Sequence, residues 1–379
     1  MLIVSILLSI IFAMLIFEKS TVQRSVSNLQ LRIHVNGTRG KSSVTEYIAA
    51  GIFMAQPEVM AKITGIIPTI IHNGAEQNIK RAGVARVQEQ FYTIRLAAKM
   101  KAKSLILECM SISPELQRLE SRFFKPHIYV ITNIKDDHRE EMGKMLEDQA
   151  NSICNAIPAN CTVITNELRY LDKIKEIATA NNSLVVSPQP LKPELLKRLP
   201  FGIFPENISL ALAVCDVAGI NYELAEQGII NRILSSKSPL FSINYDSKEI
   251  KFLNAFAVND VDSTGSFLKH WQKNLGNNGK ISVILNTRAD RPIRTDLFAG
   301  WISDISSSLS NIIVTGDHVN RAKYSMLKAG VDKGKIYIWQ SKHLKRLKKN
   351  LFNMIDDGSL VVGVGNIGGD GFTILSELK

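Results

Sequence analysis

Residues 31–42 read Leu-Arg-Ile-His-Val-Asn-Gly-Thr-Arg-Gly-Lys-Ser. The β-branched run from Leu31 to Val35 stops at a turn carrying Gly37 and Gly40, and a helical pattern through Val44, Ile48, Ile52 and Phe53 follows. Strand, glycine turn and helix start, in that order, make a phosphate cradle: loop N–H groups and the positive end of the helix dipole converge on an anion. The cradle comprises Asn36, Gly37, Thr38, Arg39, Gly40, Lys41, Ser42 and Ser43. Lys41 is placed to reach terminal phosphates and the Ser42 hydroxyl to hold Mg2+. The stretch therefore predicts use of ATP or GTP. The loop is also short. Four residues normally separate its two glycines, which would put the first at position 35, where valine stands; only Thr38 and Arg39 separate Gly37 from Gly40.

A chain of 379 residues exceeds one typical core and predicts two or three domains, and a hydrophobic content of 45% is ordinary for a globular protein. The net charge of +11 suits an anionic membrane surface or a polyanionic product, and is equally accounted for by solvated surface lysine. No basic, aromatic-rich stripe or RNA-binding signature is seen, so nucleic acid is not an expected partner. The four cysteines, Cys109, Cys154, Cys161 and Cys215, form no Cys-x-x-Cys pair and no zinc-spaced cluster with histidine, which points to a reducing compartment. Cys109 reads as a packed residue.

Met1 to Phe17 carries no charged side chain and is near the lower length limit for a bilayer-spanning helix. Lys19, Arg24 and Arg32 follow, so the positive-inside rule places the remainder in the cytoplasm. A basic leader and a small-x-small cleavage site are both missing, and the run reads as an uncleaved single-pass anchor in the cell membrane.

From residue 31 onward, short apolar strands alternate with helical patterns. Strands are expected at Leu31–Val35, Val59–Thr64, Ser104–Glu108, Ile128–Thr132, Thr162–Thr165 and Leu184–Ser187. After a serine-rich stretch from Leu234 to Pro239 they resume at Ile250–Leu253, Ile281–Leu285, Ile312–Thr315, Ile336–Trp339 and Leu360–Val364. The expectation is an α/β chain: an anchor helix at 1–19, a linker at 20–30, a P-loop central domain with a mostly parallel sheet at 31–235, and a smaller Rossmann-like domain at 236–379. Residues 65–86 give no legible pattern. Asn207, before the helical run Ile208–Ala218, reads as an N-cap.

In open α/β sheets, ligands bind beyond the carboxyl ends of the strands. Glu108 ends one expected strand and can serve as a carboxylate ligand of Mg2+; Asp137 and His138 follow another. Magnesium prefers oxygen, so on residue chemistry alone His138 reads as a loop hydrogen-bonding residue. Arg288, Asp290 and Arg291 follow the strand Ile281–Leu285. They read either as a carboxylate clamp or as a surface ion pair.

Gly-Thr-Arg-Gly-Lys-Ser at 37–42, Leu107-Glu-Cys-Met, Thr132-Asn-Ile-Lys-Asp-Asp-His, Phe204-Pro-Glu-Asn, Asn286-Thr-Arg-Ala-Asp-Arg and Gly363-Val-Gly-Asn-Ile occur in that order. In this set the chain resembles the Mur ligase superfamily of ATP-dependent amide ligases, which includes folylpolyglutamate synthase, and within it the ligase subunits of poly-γ-glutamate synthases. The resemblance covers nearly the whole chain. It implies an ADP-forming acid–amino-acid ligase of capsule synthesis, in which ATP phosphorylates a carboxylate and an amine displaces the phosphate. It also implies Mg2+ at Ser42, Glu108 and His138, adenine packed against Asn207, and catalytic roles for Lys41, Glu108, His138, Arg288 and Asp290. Implied partners are glutamate and an anionic poly-γ-glutamate chain, membrane subunits of a synthase or export complex, and inner-membrane lipid around the anchor, with room for a homo-oligomer. The family's ribose-binding aspartate has no counterpart here, where Asn254 and Ala255 stand. Two other readings remain at this level: a ligase for another acceptor, such as a cell-wall peptide or folate, and a non-catalytic P-loop subunit of a membrane complex.

Overall fold

The computed structural model describes residues 2–378 except 66, 82, 84, 137, 138, 144, 201, 202, 236–238, 257, 259, 260, 276–279 and 341–343. It divides into two compact units, Met1–Ser236 and Lys237–Lys379.

The first unit runs α1 (Leu2–Ser27), β1 (Leu31–Asn36), α2 (Lys41–Phe53), β2 (Val59–Ile63), β3 (Thr69–His72), β4 (Ala75–Asn78), α3 (Gln88–Lys99), β5 (Ser104–Glu108) and α4 (Pro114–Phe124). It continues β6 (Ile128–Ile131), α5 (Arg139–Met142), α6 (Leu146–Cys154), β7 (Thr162–Thr165), α7 (Leu171–Ala180), β8 (Leu184–Val186), α8 (Pro193–Arg198), α9 (Pro205–Val217) and α10 (Tyr222–Ser235). Its eight-stranded sheet has the order β4-β3-β2-β5-β1-β6-β7-β8, parallel except for the β2-β3-β4 meander. The chain moves from β1 out to β2 on one side, returns through β5, and then crosses to β6 on the other. The carboxyl end of β1, between β5 and β6, is therefore the switch point where such sheets bind ligands.

Side chains alternate across β1. Ile33 and Val35 enter the core shared with α2, α9 and α10. His34 and Asn36 point to the opposite face, with α3 and α4.

The polar stretch at 20–30 is no linker. Helix α1 is continuous from Leu2 to Ser27, because Val22 and Val26, four residues apart, dock with Leu29 among Met60, Ile94, Ala97, Leu105 and Phe124. The amino-terminal part is different: its large apolar side chains from Ile3 to Phe17 are 50–74% exposed, left uncovered by the described residues. By length and composition Ile3–Ser27 can cross a membrane. Glu18, where this surface ends, pairs with Arg95 of α3 at 3.2 Å.

The second unit comprises β9 (Leu240–Tyr245), β10 (Lys248–Asn254), α11 (Val261–Leu275), β11 (Ile281–Thr287), α12 (Pro292–Asp304), β12 (Leu309–Gly316), α13 (Val319–Lys328), β13 (Ile336–Ile338), α14 (Leu347–Met354), β14 (Leu360–Gly365) and α15 (Asp370–Leu378). Its sheet order is β13-β12-β11-β14-β10-β9, parallel apart from the antiparallel β9. Apolar clusters fill both faces of this sheet, which explains why its central strands read as unbroken hydrophobic runs.

Candidate active site

The loop after β1 is held open by glycine. Gly37 has φ 123° and Gly40 φ 79°. A Cβ on Gly37 would stand 2.2 Å from Thr132 Oγ1, and one on Gly40 2.7 Å from Asn207 Oδ1. Helix α2 begins at Lys41 with no side-chain cap and no acidic residue in its first turn, so its amino-terminal dipole is left for an external anion. Lys41 Nζ folds back over the loop and donates to Gly37 C=O at 2.7 Å. Ser43 lies half-buried in the same first turn.

Asn133, just beyond β6, fixes the loop from outside. Its Oδ1 accepts from Thr38 Oγ1 at 2.9 Å and from the Arg39 N–H at 3.1 Å, while its Nδ2 donates to Arg39 C=O at 3.1 Å. The Thr38 hydroxyl also accepts the Lys135 N–H at 2.7 Å. Asn36 Oδ1 accepts the Gly37 N–H at 2.8 Å. The sequence carried a signal for Asn133, a polar residue ending a strand next to β1, but no role for it.

Glu108 closes the site. The Ser42 hydroxyl donates to its carboxylate, 3.0 Å from Oε1 and 3.1 Å from Oε2, and the Thr64 N–H donates to Oε2 at 2.6 Å. Burial pushes the Glu108 carboxyl up, against the Lys41 ammonium, the Thr64 N–H and the Ser42 hydroxyl, which hold it down. A buried carboxylate converging with a hydroxyl is a donor set of hard oxygens and fits a Mg2+-type ion.

Asn207 is not an N-cap. Pro205 takes the first helical position of α9 and Phe204 precedes it, so Asn207 falls in the first turn and its carboxamide lies against Gly40. His138 and Asp137 lie outside the described residues. In the second unit, Arg288 donates to Asp290 at 2.8 Å in a solvent-exposed pair, with Arg291 Nε 3.8 Å from the same carboxylate oxygen. The Arg288 guanidinium also covers Gly368, where a Cβ would stand 2.8 Å from Nη1.

A short P-loop at the switch point of a mostly parallel sheet, with a strand-terminal glutamate on its serine, defines a nucleotide-binding protein of the Mur ligase fold. Residues 35–189 match the Mur ligase middle domain, and residues 240–379 match the poly-gamma-glutamate synthase CapB C-terminal domain. In these two regions, which together take in most of the chain, it is similar to CapB proteins and to Mur ligases. It is 34% identical over 294 residues to the capsule biosynthesis protein CapB of Bacillus anthracis, a match spanning 75% of this chain and 63% of that one. It is 28% identical over 388 residues to the PGA synthase CapB of Bacillus subtilis, spanning 98% and 95%. Among solved structures, a bifunctional folylpolyglutamate synthase/dihydrofolate synthase with Mn, AMPPNP and L-glutamate bound superposes over 95% of this chain and 93% of that one, with a TM-score of 0.66. At 14% identity that likeness establishes the fold.

Proposed function

We propose that the chain is a membrane-anchored, ATP-dependent, ADP-forming amide ligase that joins glutamate through γ-amide bonds in poly-γ-glutamate capsule synthesis. The observation that carries this reading is the Ser42–Glu108 pair at the mouth of an uncapped P-loop helix. The curated relatives, named as a capsule biosynthesis protein and a PGA synthase, supply the substrate class.

In this reading the γ-phosphoryl group of ATP passes to an oxygen of a γ-carboxylate, giving an acyl phosphate and ADP. The amine of an incoming glutamate attacks the acyl carbon, the C–O bond to phosphate breaks, and inorganic phosphate and a proton leave as the amide forms. The loop N–H groups and the α2 dipole bind the phosphates, and Lys41 neutralises charge on the group in transfer. Asn207, against Gly40, offers a flat carboxamide for the adenine face. Ser42 and Glu108, with His138, would hold Mg2+, which would offset the charge on the phosphates. Arg288 and Arg291 provide cations for carboxylates of the growing chain, with Asp290 orienting Arg288. The apolar part of α1 anchors the protein in the membrane with its two α/β units in the cytoplasm. Membrane subunits of a synthase complex, and self-association, belong to the same reading.

The test is direct. Purified full-length protein, with its membrane partners where these exist, is given ATP, Mg2+ and glutamate or oligoglutamate. ADP and γ-linked product are expected, and both should vanish for Glu108→Ala. Nucleotide binding without carboxylate-dependent ADP release would overturn the ligase reading.

A further inference from the structure

Ahead of Phe123 and Phe124, which join the apolar core, helix α4 is packed against its own hydrophobic pattern. Leu116 and Leu119 are 41% and 45% exposed, while Gln117 and Glu120 are 2% and 3% exposed. A helix docked by apolar burial alone would turn the other way. Burying an amide and a carboxylate is unfavourable unless their polar atoms are bonded, and here the bonds lead to the two halves of the nucleotide site.

Gln117 Oε1 accepts from Asn36 Nδ2 at 2.9 Å, and Gln117 Nε2 donates to Ile112 C=O at 2.7 Å and to Ser152 Oγ at 3.2 Å. Asn36 Nδ2 also donates to the Tyr129 hydroxyl at 2.8 Å. With its amide nitrogen engaged there, Asn36 must present Oδ1 to the loop, where it accepts the Gly37 N–H. Glu120 accepts the Ser111 hydroxyl on Oε1. Its Oε2 accepts Gln90 Nε2 at 3.0 Å and the Met110 N–H at 3.3 Å, with His34 Nε2 at 3.6 Å. Gln90 Nε2 also donates to the Glu108 C=O at 2.9 Å. His34, Cys109 and Glu120 bring three ligand-type atoms within 4.8 Å of one another. Since both Glu120 oxygens are already taken by protein donors, the group is a hydrogen-bond hub.

We propose that Gln117 and Glu120 are positioning residues for the site above them: Gln117 sets the P-loop through Asn36, and Glu120 sets the Glu108 end of β5 through Gln90 and the Met110 N–H. One helix thereby keeps the phosphate cradle and the metal carboxylate in register. The inference rests on the nucleotide and metal roles assigned to that site, and its test separates the two.

The measurement is calorimetric binding of ATP to the full-length protein in detergent, with Mg2+ titrated. Wild type should bind ATP in a Mg2+-dependent way; if it does not, the reading of the site fails before any variant is made. Given that binding, Glu120→Gln should raise the Mg2+ concentration for half-maximal effect about tenfold while leaving metal-free ATP affinity unchanged. Gln117→Leu should weaken ATP binding and leave the Mg2+ dependence alone. Ser121→Ala is the control: Ser121 is equally buried in α4, but its hydroxyl donates within the helix to Arg118 C=O, and neither constant should move. Should Glu120→Gln not fold, Gln90→Met, which cuts the link to Glu108 and spares the Ser111 and Met110 contacts, must give the same metal shift. The proposal is overturned if the Glu120 and Gln117 variants leave both constants unmoved, or if both constants shift together in each of them.

Discussion

Gly40 turns through φ 79° directly beneath the carboxamide of Asn207, with room for no Cβ between them. Gly40→Ala meets two penalties at once: a left-handed backbone, at about 1–2 kcal/mol for an L-residue, and displacement of Asn207. The expected outcome is a lower unfolding midpoint and weakened ATP binding by calorimetry. Asn207→Ala should weaken binding while leaving the midpoint nearly in place, because it adds no strain to the loop.

The Ser42–Glu108 contact makes a separate prediction about metal. Glu108→Gln keeps the size of the side chain and removes its charge, and should lower ATP turnover about 100-fold or more. Ser42→Ala should act in the same direction, since it removes the hydroxyl that converges on the same carboxylate. Added chelator should abolish wild-type ADP release and have little further effect on either variant.

Lys62 is wholly buried and lies 3.3 Å from Glu89, whose carboxylate also takes Arg81 Nε at 2.9 Å and Nη2 at 3.1 Å. Lys62→Met leaves Glu89 its arginine, and the change in stability should be about 1 kcal/mol or less; Glu89→Gln strands a buried ammonium and should cost roughly 3 kcal/mol. Burial lowers the Lys62 ammonium below its ordinary value, with Glu89 partly offsetting it. The unfolded chain therefore binds that proton more tightly. Wild-type stability should gain a contribution as pH rises from the lowered value toward 10.5. Urea unfolding of wild type and Lys62→Met over that range should show the contribution only in wild type.

Two truncations separate the parts of α1. Removing residues 1–17 takes away the exposed apolar side chains from Ile3 to Phe17, and should leave the unfolding midpoint unchanged while abolishing flotation with lipid vesicles. Removing residues through 29 also takes Val22, Val26 and Leu29, which are 0%, 6% and 2% exposed. At about 2 kcal/mol for each buried side chain, that deletion should destabilise the first unit by several kcal/mol.

Much of the fold could be read from the sequence because its strands are buried on both faces and its glycines sit at strand ends. Leu31 to Gly40 announces strand and turn, and Ser104–Glu108 announces a carboxylate at the right edge. The β3-β4 hairpin could not be read, since all four residues of β4 are exposed and show no alternation. The inner half of α1 was hidden because only Val22 and Val26 mark its buried stripe within a polar run. Asn207 looked like a cap because a helical run followed, but Pro205 starts that helix two residues earlier. The support beneath the site was the least visible. Gln117 and Glu120 carry the composition of a solvent face, and their burial is decided by partners on β1, α3 and the segment after β5.

A helix of 26 residues, apolar and bare at one end and part of the folded core at the other, contains no joint. At 1.5 Å per residue it is a strut of about 39 Å. Whatever tilt or rotation a bilayer imposed on the strut would pass to the face of the sheet on which Val22 and Val26 dock, beside β2 and β5. Embedded in lipid, the first unit would hold a set attitude to the membrane plane, as a gantry rather than a tethered float, and the nucleotide mouth would keep one bearing while a polymer lengthened beside it.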